Sequence, residues 1–286
     1  MLYGADMETE SIERAAESIR SATAIVITAG AGMGVDAGLP DFRGAEGFWN
    51  AYTPYRKLGL GFQALATPGT FRKDPALAWG FYGHRLGLYR ETAPHEGYAI
   101  LRRWAAKMPH GHFVFTSNVD GHFARAGFGA ERIVECHGSI HHLQCTTDCD
   151  AGVWPADGTN VTVEVATMRA SSLPACPSCE KLARPNILLF GDPEWDGGRS
   201  AAQEARLERW IHELAGTPGK NVVIIECGAG TQIPSVRRFG ESAAVGLSGT
   251  LVRINVREAD TPAPGIGIAT GALDALRRID ALLGGA

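Results

Sequence analysis

The chain contains 286 residues, of which 45% are hydrophobic and 20% charged, and its formal net charge is −4. This composition is that of an ordinary globular protein, and it lacks the basic footprint of a nucleic-acid-binding protein. No apolar run is long enough for a membrane-spanning helix, and the acidic, alanine-rich start does not resemble a secretory signal. We therefore expect a cytoplasmic protein of one or two domains, with neither nucleic acid nor membrane as a partner.

The predicted elements alternate between helices and strands. An amphipathic helix over 10–22 leads into a β-branched strand over 24–28, and a second strand follows at 112–116. Further strands are predicted at 132–136, 221–227 and 250–255, with helices at 200–214 and 235–245. This alternation predicts an α/β fold with a Rossmann-like, doubly wound parallel sheet. Such sheets bind ligands beyond the carboxyl ends of their strands.

Two segments interrupt the alternation. Residues 49–104 contain many aromatic residues, and residues 141–184 contain two pairs of cysteines. We assign these two segments to a smaller domain with a helical part and a cysteine-rich part. Residues 1–48, 105–140 and 185–286 then form the larger, nucleotide-binding domain.

A glycine-rich turn follows the first predicted strand. Gly30-Ala31-Gly32 comes directly after it, and Pro40-Asp41-Phe42-Arg43 lies shortly beyond. Free backbone N–H groups in such a turn bind phosphate oxygens. Glycines alone leave an ordinary βα turn as an equal alternative.

Polar residues also follow the second and third strands. Asn118 and Asp120 are suited to binding a sugar or a carboxamide, although each residue alone is better explained by an Asx turn. His137 follows the third strand and is a candidate general base, although a lone histidine is more often structural. The neighbouring His141 and His142 are alternatives for that role.

The cysteine pairs predict a metal site. Cys145 and Cys149 form the first pair, and Cys176 and Cys179 form the second. Four thiolates in two close pairs suit tetrahedral Zn²⁺, and a closed four-cysteine site is structural rather than catalytic. Unbound thiols and a redox role are the alternatives.

The order and spacing of these motifs resemble the sirtuin family of NAD-dependent protein deacylases. The resemblance covers roughly residues 20–280 and includes the segment from Arg184 to Gly191. It implies that NAD is a co-substrate, that Zn²⁺ is structural, and that an acylated lysine of a protein or peptide is the partner. The products would be nicotinamide, O-acyl-ADP-ribose and the free lysine.

The resemblance also implies site residues. His137 and Asn118 would be catalytic. A segment resembling the strand that pairs with the substrate peptide supplies Ile187, Phe190 and Gly191. The positions that correspond to NAD contacts are Gly30, Ala31, Gly32, Asp41, Phe42, Arg43, Ser117, Asn118, Asp120, Gly228, Ala229, Gly230 and Asn255.

The acyl preference is indicated by Tyr82 and Arg85. They lie three residues apart in a predicted helix and hence on one face. Sirtuins that remove succinyl or malonyl groups have a Tyr-x-x-Arg at this place, and an arginine can bind a distal carboxylate through two hydrogen bonds. Outside the family context, a packed tyrosine beside a solvated arginine is the simpler interpretation.

Four positions depart from the family pattern. Gly34 replaces a serine, Ser117 replaces a glutamine, Gly228-Ala229-Gly230 replaces Gly-Thr-Ser, and Cys136 replaces an apolar residue. These changes leave two alternatives open besides deacylation. The first is a sirtuin-like NAD hydrolase or ADP-ribosyltransferase, and the second is an NAD-binding module without catalysis.

Overall fold

The structure is a computed structural model, and it describes residues 2–40, 48, 52–57, 59–147 and 149–285, with side chains from Met7 onward. Asp41, Phe42 and Arg43 lie outside the described residues, so their predicted NAD contact stays a prediction. No helix in the described part of the chain is both long enough and apolar enough to cross a membrane.

The strands and helices follow one another along the whole chain. The strands are β1 (Ala24–Ala29), β2 (His112–Thr116), β3 (Ile133–Glu135), β4 (Gly138–Cys145), β5 (Val153–Pro155), β6 (Val163–Glu164), β7 (Arg169–Ala170), β8 (Ala183–Ile187), β9 (Val222–Cys227), β10 (Thr250–Ile254) and β11 (Ile266–Ile268). The helices are α1 (Leu2–Ser21), α2 (Gly32–Val35), α3 (Thr53–Lys57), α4 (Phe62–Leu65), α5 (Pro68–Lys73), α6 (Pro75–Glu91), α7 (Glu96–Ala106), α8 (His122–Arg125), α9 (Gly198–Ala215), α10 (Ser235–Leu247) and α11 (Ala272–Leu282), and a 3₁₀ turn spans Ala130–Arg132.

A six-stranded parallel sheet forms the larger unit, with the order β11-β10-β9-β1-β2-β3. All six residues of β1 are buried, as expected for a central strand covered on both faces. Ile25 and Ile27 pack on the side of α1, α7 and α11, whereas Val26 packs on the side of α9 and α10. The predicted Rossmann-like fold is therefore confirmed.

A buried row of side chains crosses the sheet next to β1. Glu226 of β9 is opposite Thr28 of β1 and Arg253 of β10 in the strand register. Arg253 donates two hydrogen bonds to the Glu226 carboxylate and one, of 2.8 Å, to Glu241 of α10. A buried carboxylate without a partner would be costly, so this pairing fixes α10 against the sheet.

The strand order reverses between β1 and β9. From β1 the chain proceeds through β2 and β3 toward one edge, while β9, β10 and β11 extend to the other. In open sheets this reversal opens a crevice beyond the carboxyl ends of the two central strands. Gly30 follows β1 and Gly228 follows β9, so both glycines lie at this crevice.

The two turns at the crevice approach each other through their glycines. The Gly30 N–H donates to the Cys227 carbonyl, and the Gly32 N–H donates to the Gly228 carbonyl, each at 3.0 Å. A Cβ on Gly30 would lie 2.8 Å from Ala229 Cα, and one on Gly228 would lie less than 3.0 Å from the Gly32 and Met33 backbone. Gly228 also has a φ of +64°, which favours glycine.

The smaller unit faces the carboxyl edge of the sheet. Its antiparallel sheet has the order β5-β4-β8, and β6 pairs with β7. Its core contains a cluster of aromatic side chains, packed with aliphatic ones: Phe48, Tyr52, Tyr55, Phe71, Trp79, Phe81, Tyr82 and Tyr89. Both segments that interrupt the predicted alternation contribute to this unit.

The packing suggests one change to the predicted domain limits. Tyr98, Leu101 and Trp104 of α7 are buried in the core on the α1 side of the parallel sheet. The predicted limit at residue 104 assigns them to the smaller domain. We therefore propose that this part of the smaller domain ends before Glu96.

We expect Gly228→Ala to unfold more easily than a matched variant, Gly219→Ala. Both glycines have a positive φ, +64° and +68°, which costs an alanine about 1–2 kcal/mol. Only at Gly228 would the new Cβ collide with backbone, because nothing lies within 4 Å of the Gly219 position. Urea denaturation should give Gly228→Ala a free energy of unfolding lower than that of Gly219→Ala by about 2 kcal/mol or more. Equal losses would show that the two turns do not need to approach so closely.

Candidate active site

A cavity of about 900 Å³ lies between the carboxyl edge of the parallel sheet and the smaller unit. Its volume is within the range of small-molecule and cofactor sites. The predicted site residues that line it are Gly30, Ala31, Ser117, Asn118, Asp120, His137, Tyr82, Arg85, Ile187, Phe190, Ala229 and Gly230. The structure thus brings residues from both predicted domains to one cleft.

Three predicted NAD residues lie behind the cavity wall. Gly32 and Gly228 form the contact between the two turns described above. Asn255 is buried; its amide donates to the Ala229 carbonyl at 2.7 Å and its Oδ1 accepts the N–H groups of Arg257 and Glu258. These residues shape the backbone of the cleft, and their direct contact with NAD stays a prediction.

Asn118 is fixed by the turn after β2. Its backbone N–H donates to Thr116 Oγ1 at 3.0 Å, and its Nδ2 donates to the Gly30 carbonyl at 3.0 Å. Thr116 in turn donates to the Ala29 carbonyl at 2.9 Å. The side chain of Asn118 therefore joins the ends of β1 and β2, with its Oδ1 as the remaining acceptor.

Asp120 is buried at the base of the same wall. Its Oδ1 accepts the His122 N–H at 2.9 Å, which is the Asx turn expected from local sequence. A Cβ placed on Gly34 would lie 3.8 Å from Asp120 Oδ2. The glycine that replaces the family serine therefore lies directly beside this carboxylate.

His137 follows β3, an edge strand that α9 supports with side chains. The Glu135 N–H donates to Gln203 Oε1 at 3.0 Å, Ser200 Oγ donates to the Glu135 carbonyl at 2.9 Å, and Arg199 pairs with the Glu135 carboxylate. On the other side, the Cys136 N–H donates to the Thr116 carbonyl at 3.0 Å. These contacts supply partners that a neighbouring strand would otherwise provide and hold the backbone next to His137.

The surroundings of His137 suit a base. Burial lowers the pKa of its imidazole below the ordinary value of 6.5, because the charged form is poorly solvated there. The ring is therefore neutral near pH 7 and able to accept a proton. Burial raises the pKa of the adjacent Cys136 thiol to about 12, so this thiol stays protonated.

The structure adds one residue that the sequence did not indicate. Ser235, the first residue of α10, places its Oγ 3.3 Å from His137 Nε2. Nearly 100 residues separate the two in the chain, and a serine at the start of a helix carries no functional signal of its own.

Tyr82 and Arg85 are buried on α6, with 1% and 5% of their surfaces exposed. The Arg85 guanidinium lies 5.2 Å from the ring centres of Phe81 and Tyr89, and it donates to Tyr89 Oη through Nε and Nη2. Because arginine keeps its charge, this wall of the cavity carries a buried positive charge. The simpler interpretation of a solvated arginine is wrong.

The segment after β8 lines the cavity. The Leu188 N–H donates to the His137 carbonyl at 3.0 Å, the Leu189 N–H to Asp192 Oδ2 at 3.2 Å, and the Phe190 N–H to the Ala66 carbonyl at 2.9 Å. These three N–H groups are used within the chain, so pairing with a peptide through Ile187, Phe190 and Gly191 stays a prediction. Gly191, with a φ of +59°, lies outside the cavity wall.

The four clustered cysteines converge in the smaller unit. Their Sγ atoms all lie within 4.8 Å of one another, and the Cys145–Cys179 and Cys149–Cys176 sulfurs are each 3.6 Å apart. Four thiolates on one Zn²⁺ with bonds of about 2.3 Å lie roughly 3.8 Å apart, whereas disulfide sulfurs are about 2.05 Å apart. The cluster fits a closed zinc site, and none of the four cysteines lines the cavity.

We expect the purified protein to contain one Zn²⁺ per chain, and Cys176→Ser to lose it. Removing one of four thiolates opens the site and weakens the fold around β4 and β8. Elemental analysis and thermal unfolding check both effects, and Cys227→Ser, outside the cluster, is the control for metal content. A wild-type protein that binds no zinc under reducing conditions would contradict the assignment.

Comparison with known proteins agrees with this geometry. Residues 30–208 match the Sir2 family. An NAD-dependent protein deacylase of Aquifex aeolicus is 32% identical over 195 residues, covering 68% of this chain and 73% of that protein. NAD-dependent protein deacylase 2 of Pyrobaculum aerophilum is 34% identical, covering 71% and 73%. NAD-dependent protein deacylase 1 of Caldanaerobacter subterraneus is 30% identical, covering 62% of this chain and 64% of the relative.

Solved structures share the fold. Sir2Tm bound to a propionylated peptide superposes with a TM-score of 0.65 at 20% identity, covering 94% of this chain and 97% of that one. A Sir2 homologue in complex with NAD gives a TM-score of 0.63 at 23% identity, covering 95% and 94%. The fold and the cleft thus define a chain of the sirtuin type. The protein belongs to the Sir2 family.

Proposed function

We propose that the protein is an NAD-dependent protein-lysine deacylase that forms nicotinamide and O-acyl-ADP-ribose. The supporting observation is that His137, Asn118, Asp120 and the turn at Gly30 line one cavity. Membership of the Sir2 family supports the same conclusion, since the relatives described above are named deacylases.

We also propose a cytoplasmic location, because four reduced thiols suit a reducing compartment.

Each wall of the cleft has a part in the proposed reaction. The backbone of the turn at Gly30 and Ala31 is suited to the phosphates of NAD. Asn118 and Asp120 would hold the nicotinamide end, and the apolar residues nearby would keep water from the ribose carbon when nicotinamide leaves. The acyl carbonyl oxygen of the substrate would form the new bond to that carbon.

His137 would act in the second half of the reaction. As a neutral imidazole it would remove a proton from a ribose hydroxyl, which then attacks the bound acyl group. An NAD hydrolase or ADP-ribosyltransferase is the alternative, because Gly34, Ser117 and Ala229-Gly230 lack side chains that the family uses. That alternative keeps nicotinamide release but uses water or another acceptor.

The test is nicotinamide release with and without acylated peptide. We expect release to require the peptide, and His137→Ala to lose O-acyl-ADP-ribose formation by at least about 100-fold. Mass spectrometry of the products with acetyl, succinyl and longer acyl peptides gives both results. Release at the same rate without peptide would refute deacylation and support the hydrolase.

We further propose that the enzyme prefers acyl groups with a terminal carboxylate. Arg85 places a buried cation in the cavity wall, and the surrounding aromatic rings create a low-dielectric site in which a carboxylate binds strongly. Tyr82 lies on the same helix face and lines the same wall. An acetyl group has no carboxylate and would gain nothing from this charge.

We expect Arg85→Met to lose activity on succinyl peptide selectively. A lost charge-assisted pair of hydrogen bonds costs about 2–3 kcal/mol, or 30- to 150-fold in kcat/KM, whereas acetyl peptide should be affected little. Arg90→Met is the matched control, because Arg90 is on the same helix but donates to the carbonyls of Ala156 and Thr159. An equal loss on both peptides would contradict the acidic-acyl pocket.

We expect Gly34→Ser to improve the use of NAD. The space allows it, since the Cβ would meet only Leu39 at 3.3–3.4 Å and lie 3.8 Å from Asp120 Oδ2. A regained hydrogen bond is worth about 1 kcal/mol, or roughly fivefold in the KM for NAD. Gly34→Ala adds the methyl group without the hydroxyl, so it separates the effect of the hydroxyl from that of the added volume. If both variants have the same KM for NAD, the hydroxyl at position 34 does not contribute to NAD binding in this chain.

A further inference from the structure

Two polar side chains meet where the tip of β3 faces α10. His137 Nε2 and Ser235 Oγ are 3.3 Å apart. Both side chains are half-buried, so water competes with this hydrogen bond less than it would on an open surface.

The other ring nitrogen of His137 is available. Nδ1 makes no hydrogen bond to any residue that the structure describes. It is also not one of the side-chain atoms in this part of the chain that are both fully buried and without a partner. It therefore retains solvent contact, and His137 is a lining residue of the cavity. The two nitrogens thus have different surroundings, one facing Ser235 and the other accessible.

The surroundings of His137 favour the neutral ring. Burial is the cause of the lowered pKa, without a contribution from a charged neighbour. Two carboxylates are used elsewhere: Glu135, two residues before His137, pairs with Arg199, and Asp120, which lines the same cavity, accepts the His122 N–H. The first turn of α10, from which Ser235 extends, presents the positive end of a helix dipole, which also disfavours an imidazolium.

Ser235 is held firmly enough to orient a ring. Val236 beside it is buried in the core between α10 and the sheet. The Arg237 guanidinium lies 3.7 Å from the buried Glu226 carboxylate, and Glu241 one turn further accepts from Arg253 at 2.8 Å. The start of α10 is therefore anchored to β9 and β10 by both apolar and charged contacts.

We propose that Ser235 is a positioning residue that accepts a hydrogen bond from His137 Nε2–H and thereby leaves Nδ1 as the proton-accepting nitrogen. A neutral imidazole carries its proton on one nitrogen only, and the hydrogen bond made by that nitrogen determines which one it is. Ser235 therefore has the orienting function that a carboxylate has in other histidine sites. The proposal rests on the proposed function, because it assigns a tautomer to the base of that reaction.

The first readout does not depend on activity. ¹⁵N NMR of the imidazoles distinguishes a protonated from an unprotonated ring nitrogen, and the His137→Ala spectrum identifies the signals of His137. We expect Nε2 to carry the proton in the wild type and the two tautomers to mix in Ser235→Ala. Ser235→Thr, which keeps the hydroxyl, should restore the wild-type pattern. A wild-type ring protonated on Nδ1, or an unchanged pattern in Ser235→Ala, would overturn the proposal.

The second readout separates the two halves of the reaction. Ser235→Ala should slow formation of O-acyl-ADP-ribose by about 10- to 100-fold, while exchange of labelled nicotinamide into NAD, which precedes the base step, stays near the wild-type rate. Ser235→Thr should recover most of the loss, and Ser242→Ala, at an exposed position of the same helix, should behave as wild type. Equal losses in both steps would show a structural role and contradict the proposal. If the wild type forms no deacylated product at all, the proposed function fails, while the NMR result still decides the tautomer.

Discussion

The site depends on the close approach of two backbone turns, one at Gly30 after β1 and one at Gly228 after β9. Parallel strands end at the same edge of a sheet, so the turns that follow them compete for the same space. Glycine removes the side chains that would separate these turns. The Gly32–Gly228 hydrogen bond then joins the two halves of the sheet at their reversal. The cavity lies directly beyond this contact, and its wall is largely backbone there.

The remaining functional groups are placed by long-range support rather than by their own strands. β3 is short and at the edge of the sheet, yet three side chains of α9 hold Glu135. Gln203 accepts its backbone N–H, Ser200 donates to its carbonyl, and Arg199 pairs with its carboxylate. α10 is fixed through the Glu226 and Arg253 pair and delivers Ser235 to His137. The smaller unit contributes the charged wall through α6, where aromatic rings surround Arg85. Rigid support of this kind is what a site needs if water is to be excluded from a reactive carbon.

Much of this architecture could be predicted from the sequence. The β-branched runs gave the strands of the parallel sheet within one or two residues, because buried central strands leave a strong local pattern. β11, with the three residues Ile266–Ile268, was not predicted, since so short a run has no detectable period. The cysteine spacing predicted a cluster that the structure confirms. The helix at Glu96–Ala106 was assigned to the smaller domain because its aromatic residues resemble those before it, and only the packing shows which core they enter.

Contacts between side chains of distant elements could not be predicted from local sequence patterns. Ser235 and His137 belong to different elements, and nothing in either segment indicates their contact. The hydrogen bonds that the Leu188, Leu189 and Phe190 N–H groups make within the chain could not be predicted either. Their acceptors, on His137, Asp192 and Ala66, are brought close only by the fold. Tyr82 and Arg85 were identified through the resemblance to sirtuins that remove succinyl or malonyl groups, whereas the burial of the guanidinium among aromatic rings could be seen only in the fold.

The central claim is that the acyl oxygen of the substrate, rather than water, attacks the ribose carbon in this cleft. It is tested most directly with an acylated peptide labelled with ¹⁸O in its amide carbonyl, incubated with NAD in unlabelled water. The account predicts that the label appears on the ribose carbon that carried nicotinamide, within the O-acyl-ADP-ribose product. ADP-ribose without label, formed at the rate of nicotinamide release, would contradict the account and identify water as the acceptor.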